Sequence, residues 1–239
     1  MIFCNGDSIT FGCELHKDDL DYIEKHRFSN IIAQKLDKEV INISSIKRVN
    51  NNIVRSTIKW IEENGNPEFA IIQFGPDKRF EWYSPEDKKW TTFGPSATSP
   101  KTVMLKGKVI KNPPNETAVS YYSNVDNLHM RQMNMWTNIF FMETYLNYKG
   151  IPHYFWYGKG NPGKENRKYD DLDIEYKEMS KWSDMKEMCD IIGTKNKHPE
   201  NFPKSNSWIV GMKWGFANGI HPNENGHELL AEHFLEYII

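Results

Sequence analysis

The stretch Ile2-Phe3-Cys4-Asn5-Gly6-Asp7-Ser8-Ile9-Thr10-Phe11-Gly12 decides how the rest of the chain is read. Ile2 to Cys4 reads as a short first strand, and the polar turn after it places Ser8 just past the strand's carboxyl end. In open α/β sheets that edge presents ligands and reactive groups. Gly6 and Gly12 permit tight backbone geometry, and a turn starting at Ser8 would aim its N–H at a developing oxyanion. Taken alone, Gly-Asp-Ser is also a common plain turn or N-cap.

Working outward, short apolar runs alternate with segments of helical period, the pattern of a parallel sheet with helices on its faces. Further strands are expected at Val40–Ile43, Phe69–Phe74, His153–Tyr157 and Trp208–Met212, giving a central sheet of about five. Helices are expected over Arg27–Leu36, from N-cap candidates Asn50 to Asn52 as far as Asn64, from near Asp126 to Lys149, and over Asn223–Tyr237. After Gly75-Pro76 the pattern breaks, so a first insertion is expected at about 76–125, with a hairpin of Thr102–Leu105 and Lys108–Ile110. A second insertion is expected at about 158–182, within a single domain spanning 1–239.

The 239 residues carry 30 Lys plus Arg against 32 Asp plus Glu, a net charge of -2, with 38% hydrophobic residues. Both signs are interspersed, so a basic nucleic-acid footprint is absent and no nucleic-acid partner is expected. No apolar run approaches the length of a membrane span and Met1 leads straight into the first strand, so neither membrane association nor a signal peptide is expected. A cytoplasmic location follows as the expectation, or the virion or host cytoplasm if the chain is virus-encoded. Cys4, Cys13 and Cys189 follow neither disulfide nor zinc spacing and read as reduced thiols.

A second informative stretch, Asn218-Gly219-Ile220-His221-Pro222-Asn223-Glu224-Asn225-Gly226-His227, lies just before the last helix. A loop histidine held by a following proline can act as general base to a serine, with a polar residue three positions earlier orienting the ring. A lone loop histidine is usually a solvated surface residue. Paired with a strand-end serine near the other terminus, it gives the arrangement that a serine hydrolase needs.

With these residues in view, the sequence resembles the SGNH (GDSL) hydrolase superfamily of esterases and lipases. The first family block looks like Gly6-Asp7-Ser8-Ile9-Thr10 and the last like Asn218-Gly219-Ile220-His221-Pro222, with Gly226-His227 following. Asn42-Ile43-Ser44-Ser45 through Asn50, then Ile53-Val54-Arg55, is similar to the second block, with Lys47 where the family's oxyanion-hole glycine falls. Gly75-Pro76-Asp77 is similar to the third, with Asp77 in place of asparagine, and Gln73-Phe74 and Arg79-Phe80-Glu81 resemble variants from phage and marine bacteria.

The resemblance implies a flavodoxin-like three-layer α/β/α sandwich and an ester hydrolase that uses no cofactor or metal. Ser8 would be the nucleophile and His221 the base. Ser8, Lys47, Asp77 and Asn50 are the oxyanion-hole candidates, and Arg79, Trp82 and Tyr83 the substrate-binding ones. The substrate would be a small-molecule, lipid or O-acylated carbohydrate ester. The position that the family gives to the acid holds Asn218, which can orient an imidazole but cannot offset its charge. Four explanations stand open: a dyad-type or slow enzyme, another carboxylate that reaches His221, a binding protein that has kept the fold and lost turnover, or an asparagine placed there to trap a complex.

Other features read more plainly. His227 and His233, six apart on a helix, would point about 240° apart and are expected to serve structure rather than a metal. Gly158–Lys164 lacks the ending of a phosphate loop and reads as an ordinary loop. Trp82, Tyr83, Trp90 and Phe93 are read first as a small core of the first insertion, with a sugar-stacking surface as the alternative.

Overall fold

The apolar runs become strands because a parallel strand buried on both faces needs no polar side chains except at its ends. In the computed structural model, residues 1–16, 19–105, 108–157 and 221–238 are described. The strand expected at Trp208–Met212, the insertion at about 158–182, the Gly158–Lys164 loop, Cys189 and Asn218 lie outside them.

The strands are β1 (Ile2–Asn5), β2 (Val40–Asn42), β3 (Phe69–Phe74), β4 (Phe80–Ser84), β5 (Lys89–Phe93), β6 (Lys101–Leu105), β7 (Lys108–Asn112) and β8 (His153–Tyr157). The helices are α1 (Ser8–Phe11), α2 (Leu20–His26), α3 (Phe28–Leu36), α4 (Asn50–Asn64), α5 (Glu116–Asn124), α6 (Leu128–Tyr148) and α7 (Glu224–Ile238). Among the described residues, four strands form one sheet in the order β2-β1-β3-β8. All its pairs are parallel, with Phe3 opposite Ile41 on one side and Ala70 on the other.

The chain divides into two compact units, Met1–Pro76 with Trp136–Ile239, and Asp77–Met135. In the first, alternation along β1 supplies both faces of the sheet. Ile2, Cys4, Ile71 and Trp156 pack with Phe28 and Ile32 of α3 and with Leu230, Ala231 and Phe234 of α7. Phe3 points the other way and stacks on Trp60 of α4 at 4.6 Å. The later part of α6 runs beside α4, where Tyr145 Oη donates to Glu62 Oε1 at 2.6 Å and Asn138 Nδ2 to Asn51 Oδ1 at 2.6 Å. Helices on both faces of a parallel sheet give the three-layer α/β/α arrangement.

Helix α4 corrects one expectation. Its N-cap is Val49, without a side-chain capping bond, and Asn50 lies inside the helix. The Asn50 amide instead accepts the Gly75 N–H at 2.8 Å and donates to the Gly75 carbonyl at 3.2 Å, tying the start of α4 to the end of β3. Asn223 does cap α7, accepting the Gly226 N–H at 3.1 Å.

The second unit holds the hairpins β4–β5 and β6–β7, the latter with Leu105 opposite Lys108. Its core is aromatic: Phe80 stacks on Tyr121 at 3.8 Å and lies 5.3 Å from Phe93. Trp82, Tyr83 and Trp90 do not join it, being 55%, 42% and 53% exposed. Strand alternation accounts for Tyr83 and Trp90, which pair with each other on the face opposite Phe80 and Phe93; Trp82 shares the face of Phe80 but lies two residues nearer the tip. The expectation of one satellite core for all four aromatics therefore holds for Phe93 alone. Among the described residues no helix is long and apolar enough to cross a membrane.

His227 is part of the first unit's core, fully buried, with its ring parallel to Phe28 and Nδ1 accepting the Phe28 N–H at 3.2 Å. His233 has a different partner, the Tyr154 hydroxyl at 3.4 Å. Burial first, then the neighbouring His221 and Arg27, push the His227 imidazole down from 6.5 to about 3. The unfolded chain therefore binds a proton that the folded chain refuses. The stability contributed by the neutral ring is complete above the unfolded value and is lost as pH falls from there toward about 3. The loss has a slope of up to about 1.4 kcal/mol per pH unit. Urea unfolding between neutral and acid pH is expected to show this slope in the wild-type chain and to lack it in His227→Gln. Equal slopes in the two would contradict the assignment.

Candidate active site

The sheet reverses its direction of growth at β1, with β2 on one side and β3 on the other, so the carboxyl end of β1 is a topological switch point. Helix α1 starts there. Asp7 caps it by accepting the Ile9 N–H at 3.2 Å, which leaves the Ser8 N–H in the first turn among the donors that a helix start does not satisfy. Gly12 ends the helix at φ +89°, a left-handed conformation that suits glycine.

Buried polar side chains fix this turn from beneath. Gln73, at the end of β3, donates Nε2–H to Asp7 Oδ1 at 2.6 Å. Its Oε1 accepts the Thr10 N–H at 3.0 Å and the Thr10 hydroxyl at 2.6 Å. A Cβ on Gly6 would lie 2.6 Å from Gln73 Cβ, so the close approach requires glycine. Asn5 Oδ1 accepts the Gly6 N–H at 2.9 Å and Arg48 Nη1 at 2.7 Å, while Asn42 Nδ2 donates to the Thr10 carbonyl at 2.9 Å.

His221 reaches this turn from the segment before α7. Its Nε2 lies 2.8 Å from Ser8 Oγ across 213 positions of sequence. Ser8 is buried, and the His221 side chain is 12% exposed. On its other side Glu14 approaches: Oε1 is 3.3 Å from Nδ1, and Oε2 accepts the His221 backbone N–H at 3.3 Å. The first contact is within ion-pair reach but off the line of the ring N–H, so Nδ1 is buried without an aligned hydrogen bond among the described residues. An alcohol, an imidazole and a carboxylate in this sequence can pass a proton from oxygen to nitrogen and hold the resulting charge.

The other residues singled out in the sequence are distributed as follows. Lys47 is exposed and held at φ +65°, the left-handed backbone that glycine would adopt freely. Asn50 is committed to Gly75 through one N–H and its carbonyl, leaving its second amide hydrogen. Asp77 and Arg79 belong to the second unit, where Asp77 faces Arg131 at 4.0 Å. Trp82 and Tyr83 are on the exposed β4–β5 hairpin. Asn218 lies outside the described residues.

Sequence reasoning gave no role to Glu14, Gln73, Asn5, Asn42 or Arg48. Gln73 carried a usable signal, a single polar residue inside the apolar run Phe69–Phe74. Glu14 carried none, because its approach depends on a turn in which it takes φ +71° itself.

The chain shares its fold with TesA, whose crystal structure superposes with a TM-score of 0.51 and 11% identity over 98% of this chain and 96% of that one. Lower superposition scores relate it to two further structures. One is the acetyl xylan esterase Est2A from Butyrivibrio proteoclasticus, with TM-score 0.48, 16% identity and coverage of 99% of this chain and 63% of that one. The other is a lipolytic protein of the G-D-S-L family from Desulfitobacterium hafniense, with TM-score 0.49, 15% identity and coverage of 98% and 96%. No protein-family model matches the chain, and no curated protein matches it. The parallel sheet, its flanking helices and the likeness to TesA give it the SGNH hydrolase fold.

Proposed function

We propose that this chain, with the SGNH hydrolase fold as its scaffold, is a serine ester hydrolase in which Ser8 is the nucleophile and His221 the general base. The observation that carries the reading is the 2.8 Å contact between Ser8 Oγ and His221 Nε2 at the switch point of the sheet. With Nε2 as acceptor, the Ser8 hydroxyl attacks the acyl carbonyl as its proton passes to the imidazole. The imidazolium returns that proton to the leaving alkoxide, and an acyl-enzyme remains. Water, deprotonated by the same ring, then cleaves the acyl-enzyme, the acid departs and the Ser8 hydroxyl is restored.

Negative charge on the carbonyl oxygen needs donors that point at it in the tetrahedral state. We assign these to the Ser8 N–H and the Lys47 N–H, with the second amide hydrogen of Asn50 as a third. Asp77 faces Arg131 at 4.0 Å and as a carboxylate only accepts hydrogen bonds, so we give it no donor role. Among esters, an O-acylated carbohydrate fits best with Arg79, Trp82 and Tyr83 as binding groups. Support comes from the exposed aromatic faces of the β4–β5 hairpin, since flat rings stack on the apolar faces of sugars.

The test is ester hydrolysis by the purified full-length chain, using p-nitrophenyl acetate and an acetylated oligosaccharide, with Ser8→Ala as the blank. The wild-type chain is expected to release p-nitrophenol and acetate well above that blank. Equal rates in the two proteins would overturn the reading.

A further inference from the structure

Resting on that reading, we infer that Glu14 is the positioning carboxylate of the site, supplied by the turn after the nucleophile helix instead of by the segment before the histidine. Three independent observations point to it. One carboxylate grips a single residue twice, with Oε2 accepting the His221 N–H at 3.3 Å and Oε1 lying 3.3 Å from Nδ1. No other carboxylate among the described residues comes within ion-pair distance of that ring. Next, His221 Nδ1 is buried without an aligned bond, an unfavourable state that a small turn of the Glu14 carboxylate removes. Finally, Glu14 holds φ +71°, a strained conformation for a residue with a Cβ, of the kind retained where a side chain must be aimed.

The chemistry needs such a group. Glu14 accepting from Nδ1–H fixes the tautomer that leaves Nε2 free to accept the Ser8 proton. When the proton arrives, the carboxylate offsets the imidazolium charge, which an amide at position 218 cannot do. The titratable groups around the ring are Glu14 from the α1–α2 turn, Ser8 on α1 and His227 on α7, the last neutral above about pH 3. Glu14 is therefore the anion on which the charged ring depends. In serine proteases, losing the equivalent carboxylate lowers turnover about 10⁴-fold. Glu14 is 33% exposed and partly screened by water, so a smaller factor of about 100 is expected here.

The experiment compares kcat, KM and the pH profile for p-nitrophenyl acetate in wild-type, Glu14→Gln and Glu14→Asp proteins. Glu14→Gln is expected to lower kcat about 100-fold at nearly constant KM and to move the acidic limb of the profile to lower pH. Glu14→Asp, which keeps the charge, is expected to restore much of the loss. A Glu14→Gln enzyme with wild-type kcat and an unmoved acidic limb would overturn the inference and leave the Ser8 reading standing. A readout that needs no turnover separates the two further. In Ser8→Ala protein, NMR of the His221 ring protons is expected to show titration at lower pH once Glu14→Gln is added. An unmoved titration overturns the Glu14 assignment whether or not the wild-type chain hydrolyses esters.

Discussion

Replacing His221 by alanine is expected to lower kcat for p-nitrophenyl acetate by about 10⁴- to 10⁶-fold, and adding Ser8→Ala to that variant is expected to cost almost nothing more. The size follows from the 2.8 Å contact between Ser8 Oγ and His221 Nε2. A serine hydroxyl is a poor nucleophile until its proton has somewhere to go, and among the described residues His221 Nε2 is the base within hydrogen-bond reach of Ser8 Oγ. The lack of further loss is the sharper half of the prediction. Two groups that share one proton act as a unit, so removing either removes the contribution of both. If the single losses multiplied in the double variant, Ser8 and His221 would be contributing separately, as two independent binding groups do.

Gln73→Leu is expected to be the most damaging substitution at a position that touches no substrate. The Gln73 side chain is fully buried and links three partners around the nucleophile turn: the Asp7 carboxylate, the Thr10 N–H and the Thr10 hydroxyl. Leucine has nearly the same volume, so the effect isolates hydrogen bonding from packing. It leaves the Thr10 groups and a charged oxygen of Asp7 without these bonds in a dry site, at about 2–4 kcal/mol of stability in total. For a chain of this length that corresponds to a fall in Tm of roughly 10 °C. Thermal unfolding followed by circular dichroism measures it, and a shift of under about 2 °C would show that the turn holds itself without Gln73.

Much of the fold was legible in the sequence for a simple physical reason. Strands β1, β2, β3 and β8 lie side by side in one parallel sheet, so they read as apolar runs, and α3, α4 and α7 show a one-sided apolar period because each packs on that sheet or its neighbours. The hairpin β4–β5 was not legible, because its residues range from half-buried to exposed and give no clean alternation. Short α2, whose first residue Leu20 is 63% exposed, was hidden likewise.

For the site, Ser8 and His221 were singled out by motif, and the structure brings their side chains together. Asn50 was read as a cap and an oxyanion candidate, yet its amide is spent mainly on Gly75. Glu14 was invisible because no spacing rule connects it to His221; the contact exists only through the left-handed turn that follows Gly12. Gln73 and Asn42 illustrate the same limit, since a polar residue in or at the end of an apolar strand announces a buried role without saying which turn it will hold.

The most direct measurement is the site and rate of modification by a fluorophosphonate, read by mass spectrometry of the proteolysed full-length protein. A single adduct on Ser8 is predicted, forming rapidly in the wild-type chain and falling to background in His221→Ala. No adduct, an adduct on another residue, or an equal rate of Ser8 modification in His221→Ala would contradict the account.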